Sequence, residues 1–194
     1  EECDKFRLNL IQLEKFNKAL PPINPILLGN ENDGKRVYYG EDACGGDGTG
    51  ANVGTCGNYS VSIGYQANRT GGDYNTAIGY QALYHANSSG TDNVAIGKSS
   101  LLNLTSGTMN TSIGTANSQN VTTGIKNTSI GGEAFHNNTT GSYNQSFGYY
   151  ALRQNIDGDY NIAIGNNALD YNVSGDANIA IGGSALKRSE TTGT

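Results

Sequence analysis

The chain holds two imidazoles, His85 and His136, and three repeat units separate them, so their spacing assembles neither an acid–base pair nor a metal cluster. Both are expected on surface turns. Asp73, Asp92, Asp157, Asp159 and Asp176 recur near one corner of the repeat, as a calcium-binding row would, but several units lack the carboxylate. No paired carboxylates, phosphate-binding loop or nucleophile elbow occurs, so the reading is non-enzymatic, with no cofactor or metal. Cys44 and Cys56 flank the glycine-rich stretch GGDGTGANVGT and are expected to bridge in an oxidising compartment, leaving Cys3 over. Asn58, Asn68, Asn87, Asn103, Asn120, Asn137, Asn138 and Asn172 each stand in an N-x-S/T triplet, mostly in one turn, and are candidate glycan acceptors.

What positions these residues is a repeat. SVSIG, NTAIG, NVAIG, NTSIG, NTSIG, NQSFG, NIAIG and NIAIG recur through residues 57–189, their closing glycines spaced 15, 18 and then 17 residues apart. A second glycine column, Gly72, Gly90, Gly107, Gly124, Gly141, Gly158 and Gly175, precedes each Asn by three residues. Two glycines at fixed phase mark two backbone corners, and the short β-branched run between them suits a strand. The unit leaves no room for a helix of ordinary length. Each unit is therefore expected to form one coil of two short strands and two turns, stacked about 4.8 Å from the next with parallel strands in register. The fold class is all-β, a parallel β-solenoid of about eight 17-residue coils.

Within the coil, Ile63, Ile78, Ile96, Ile113, Ile130, Phe147, Ile164 and Ile181 are expected to fill the interior as an apolar ladder. The preceding column holds only Ala and Ser, from Ser62 to Ala180, and is expected to pack closely on the coil's other wall or on a neighbouring subunit. Asn75, Asn93, Asn110, Asn127, Asn144, Asn161 and Asn178 form a column suited to an amide ladder. Asn117-Ser118 stands where other coils have Ala-Leu, so that fourth coil is expected to bend or to carry a polar core and to be the least stable.

The unit N-[TVI]-[AS]-I-G-x-x-A-L followed by N-x-x-G resembles the head repeat of trimeric autotransporter adhesins, and is similar to repeats in phage tail fibres and giant-virus surface fibres. That resemblance covers about two thirds of the chain. It implies a left-handed β-roll that trimerises, with the Ala/Ser column turned toward neighbouring chains. The unit is longer than the typical adhesin head repeat, and no membrane-anchor barrel or fibre chaperone domain is recognisable.

Residues 1–20 place Phe6, Leu10, Leu13 and Leu20 at coiled-coil spacing, a short helix, although Phe6, Leu8 and Leu10 also alternate like a strand that could be donated as an arm. Residues 21–56, opened by Pro21, Pro22 and Pro25, read as a connector and cap, with Val37-Tyr38-Tyr39-Gly40 as a degenerate coil; residues 190–194 are a tail. A net charge of -5 without a basic stripe argues against nucleic acid, and no apolar run is long enough to span a membrane. The start at Glu1 fits a processed, exported chain. The expected role is an extracellular structural or adhesive fibre or spike subunit at a cell or virion surface, a homotrimer or fibre. The alternative is a carbohydrate-binding or carbohydrate-degrading tail spike, with Tyr65, Tyr80, Tyr149 and Tyr150 stacking surface glycans.

Overall fold

The computed structural model describes residues 37–40, 43, 57–69, 72–85 and 89–188. The N-terminal helix or arm, the Cys44–Cys56 bridge and the tail fall outside these residues. Within them the chain is a parallel β-solenoid. Each strand is three residues long: β1 (Val37–Tyr39), β2 (Val61–Ile63), β3 (Thr76–Ile78), β4 (Val94–Ile96), β5 (Thr111–Ile113), β6 (Thr128–Ile130), β7 (Gln145–Phe147), β8 (Ile162–Ile164) and β9 (Ile179–Ile181). All nine lie side by side in chain order in one parallel sheet. Every repeat position faces its own copy: Ala77 lies beside Ala95, and Ile113 beside Ile130. The degenerate segment at Val37 supplies β1, which pairs with β2 in the same register.

The two glycine columns hold the corners by different means. Gly64, Gly79, Gly97, Gly114, Gly131, Gly148, Gly165 and Gly182 have φ between +124° and +142°, where a side chain is strained. The second column is needed for close approach. A Cβ at Gly158 would lie 2.5 Å from the carbonyl oxygen of Gly175 in the next coil.

Two expectations are corrected. The first concerns the wall after each glycine corner, which is not a second strand. Residues such as Gln81 and Leu83 sit at φ of +54° and +52°, and their equivalents in every coil do the same, so the chain zigzags in turns instead of extending. Its backbone still bonds coil to coil, with Leu83 N–H donating to Ser100 O at 3.0 Å and Phe135 N–H to Ala151 O at 2.8 Å.

The second concerns which strand face is inside. The Ala/Ser column is buried throughout, and its apolar members Ala77, Ala95, Ala163 and Ala180 belong to the core with Leu83, Leu101, Phe135, Leu152 and Leu169 of the opposite wall. Ile63, Ile78, Ile96, Ile113, Ile130, Phe147, Ile164 and Ile181 instead face outward: Ile130 is 39% exposed, Ile164 40% and Ile181 69%. The reason is thickness. One wall sends Leu or Phe across the coil, so the facing position must be small, and alternation along a three-residue strand then turns both flanking residues out. The Ala/Ser column thus packs on its own coil and not on a neighbouring subunit.

Between the fourth and fifth coils the interior is polar. Asn117, wholly buried, donates through Nδ2 to Ile113 O at 3.0 Å and Ser129 O at 2.9 Å, while its Oδ1 accepts from the hydroxyls of Ser118, at 3.1 Å, and Ser129. Ser100 Oγ donates to Ser112 Oγ at 2.8 Å, and Ser146 Oγ to Ser129 Oγ at 2.8 Å, extending the network along the rod.

Candidate interaction surface

Among the described residues, no group of three or more His, Cys, Asp or Glu is placed to hold a metal ion. His85 is exposed and meets Tyr84 edge-on, with centroids 4.3 Å apart; His136 is part-buried, its Nδ1 2.9 Å from Ala116 O. Three of the corner carboxylates, Asp73, Asp159 and Asp176, accept backbone N–H groups. Asn58 N–H donates to Asp73 Oδ1, Ser142 N–H to Asp159 Oδ1 and Asp159 N–H to Asp176 Oδ1, each at 2.7 Å. Ser142 Oγ does the same for Ile125 N–H at 3.1 Å, so where this column carries Asp or Ser it ties a coil to the one before it. Asp92 accepts from Thr91 Oγ1 at 2.7 Å, and Asp157 is exposed.

The asparagine column forms a continuous ladder. Each Oδ1 accepts from the backbone N–H of the next Asn and, in most steps, from its Nδ2: Asn144 N–H reaches Asn127 Oδ1 at 2.9 Å and Asn144 Nδ2 reaches it at 3.2 Å. From Asn75 to Asn161 each Nδ2 also donates to the close-approach glycine of the following coil, as Asn110 does to Gly124 O at 2.8 Å and Asn161 to Gly175 O at 2.7 Å. The ladder runs from Asn75 through Asn93, Asn110, Asn127, Asn144 and Asn161 to Asn178, and Asn75 N–H donates to Ser60 Oγ at its start. Two further amide ladders were missed. Asn138, Asn155 and Asn172 stack inside the coil, Asn155 Nδ2 donating to Asn138 Oδ1 at 2.9 Å and Asn172 Nδ2 to Asn155 Oδ1 at 3.0 Å. Asn103, Asn120, Asn137 and Gln154 form an outer one, with links of 3.0, 3.3 and 2.9 Å. The signal for both lay in asparagines repeating at the coil period.

These ladders divide the candidate glycan acceptors. Asn68, Asn138 and Asn172 are wholly buried, so no glycan fits there in the folded coil. Asn58, Asn103, Asn120 and Asn137 are half-buried at the surface, and Asn87 lies outside the described residues.

The exposed surface includes a row of apolar and aromatic side chains. On the outer sheet face, the isoleucine column runs beside Val61, Thr76, Val94, Thr111, Thr128, Gln145, Ile162 and Ile179. Tyrosines flank it in stacked pairs: Tyr59 on Tyr74 at 5.1 Å, Tyr65 on Tyr80 at 5.3 Å and Tyr143 on Tyr160 at 4.8 Å between centroids. Tyr149 stacks on Tyr150 at 3.8 Å, and its phenol is pushed up to about 12 by its hydrogen bond with Tyr150 and by desolvation. Arg153 lies 4.2 Å from the Tyr150 centroid and bonds Asp170 Oδ1 at 3.0 Å. Of the four tyrosines expected to stack sugars, Tyr65 and Tyr80 therefore stack on each other, as do Tyr149 and Tyr150.

Comparison with protein-family models, with curated proteins and with solved structures finds no match to this chain. Among the described residues no helix is long and apolar enough to cross a membrane.

Proposed function

We propose that this protein is a non-enzymatic structural or adhesive subunit that self-associates, as a homotrimer or a fibre built from it, through the outward isoleucine face of its solenoid. The observation that carries this reading is a parallel sheet covered on only one side. The inner face packs on its own coil, while the outer face leaves the large apolar side chains Ile130, Ile164, Ile179 and Ile181 open to solvent. A second copy is the natural cover, because it offers the same apolar residues at the same axial period and can match the face along its whole length. The resemblance of the repeat to trimeric adhesin heads supports three copies about a common axis. A rod of this kind belongs at a cell or virion surface, extracellularly, where many weak contacts add through avidity. Carbohydrate recognition is the weaker reading, since stacked tyrosines leave fewer ring faces for a sugar.

The test is solution mass by light scattering for the parent and for Ile113→Asp/Ile130→Asp. A trimer that the double substitution converts to a folded monomer supports the reading; a monomeric parent overturns it.

A further inference from the structure

We propose that two of the stacked tyrosine pairs, Tyr59–Tyr74 and Tyr143–Tyr160, are sites of oxidative cross-linking, forming dityrosine bridges between consecutive coils under a haem peroxidase and hydrogen peroxide. Their geometry is that of a preassembled radical pair. Both are near-parallel, with interplanar angles of 7° and 9° and centroids 5.1 and 4.8 Å apart. All four side chains stand out from the same left-handed turn position, at φ of 57° to 60°, and are 38 to 58% exposed. An oxidant in solution can reach the phenols, and the rings have room to tilt until two ortho carbons meet.

The chemistry balances with the named oxidant. Each phenol gives up one electron and its hydroxyl proton, leaving two tyrosyl radicals held side by side. A carbon–carbon bond forms between the ortho positions, and each ortho hydrogen then returns to its ring oxygen by tautomerisation, restoring both phenols. The two electrons and two protons reduce one hydrogen peroxide to two waters. Proximity favours the partner in the adjacent coil over any tyrosine that must arrive by diffusion.

The placement fits what a solenoid needs. Coils bind only their neighbours, so unfolding starts by fraying at the ends. The same column carries Asp92, Met109 and Lys126 in the middle of the rod, whereas the tyrosine pairs join the first repeat to the second and the sixth to the seventh. A bridge at each place would stop fraying one or two coils in from either end of the described rod.

The experiment treats the full chain, dilute, with a haem peroxidase and hydrogen peroxide, then maps cross-linked peptides by mass. The expected result is a product two hydrogens lighter per bridge that still migrates as a single chain on a denaturing gel. Tyr59–Tyr74 and Tyr143–Tyr160 should exceed any pair of tyrosines that are not stacked on each other by about tenfold. Urea-unfolded chain should lose that preference. Tyr74→Phe and Tyr160→Phe keep the stacking area, and each should remove only its own bridge. Coupling spread evenly over exposed tyrosines such as Tyr39 and Tyr171, or chiefly between chains, or unchanged in urea, would overturn the proposal.

Discussion

The coil around Asn117 and the coil around Leu152 enclose the same space with opposite chemistry. Around Leu152 the interior is mainly apolar, with Ala151, Ala163, Ala168 and Leu169 beside the single hydroxyl of Ser146. Around Asn117 it holds Ser112, Ser118 and Ser129, each hydroxyl bonded within the network. The backbone scarcely registers the exchange: Ser118 and Leu152 occupy the same left-handed turn at φ of 49° and 51°. Coil shape is thus set by the glycine corners and the axial ladders. In these two coils the interior accepts either filling, and around Asn117 the buried hydroxyls are paired.

Substitutions can break this comparison, and the largest effect is expected at Asn117→Ala. It strands the buried hydroxyls of Ser118 and Ser129 and the Ser129 carbonyl, at a cost of about 4 kcal/mol in urea unfolding. Leu152→Ala should cost somewhat less, about 3 kcal/mol, as a cavity in an apolar interior. If the two interiors are interchangeable, the combined Asn117→Ala/Ser118→Leu/Ser129→Ala/Ser146→Ala should return to within about 1 kcal/mol of the parent, because the hydroxyls are removed together with the groups they bond. A combined variant as unstable as Asn117→Ala would mean that the polar coil has its own shape. The smallest change is expected in the outer amide ladder: Asn120→Ala should cost about 0.5–1 kcal/mol, since its half-buried neighbours Asn103 and Asn137 can turn to water.

The sequence makes the coil period, the strand register and the asparagine ladder readable, because each rests on stereochemistry that few residue types satisfy. Only Gly tolerates the φ at Gly131, and only a short amide both accepts from the next Asn and donates to the next Gly. Inside and outside were not readable in the same way. Hydrophobicity puts Ile63 within and Ser62 without, and alternation alone cannot correct it, since either phase of a three-residue strand is allowed. Thickness decides, and thickness follows from how far Leu83 reaches across the coil. The turn wall was equally hidden. Leu101, Phe135 and Leu169 adopt φ of +49° to +52°, a region bulky side chains seldom enter, so their types signal nothing about it. The sequons overstated the glycan reading for a related cause: Asn138 and Asn172 suit a turn, but their amides point inward and stack.

In the proposed assembly the outward isoleucine face is covered by further copies of the chain. Hydrogen exchange on the assembled protein cannot isolate that face, because the strand amides are bonded within the sheet regardless. Solution mass can, measured by light scattering across a dilution series for the parent and for Ile113→Asp/Ile130→Asp, with circular dichroism to check that the variant stays folded. The expected result is a parent mass three times that of the chain and a folded variant at the mass of one. A parent that stays at the mass of one chain, with its isoleucines open to water, would contradict it.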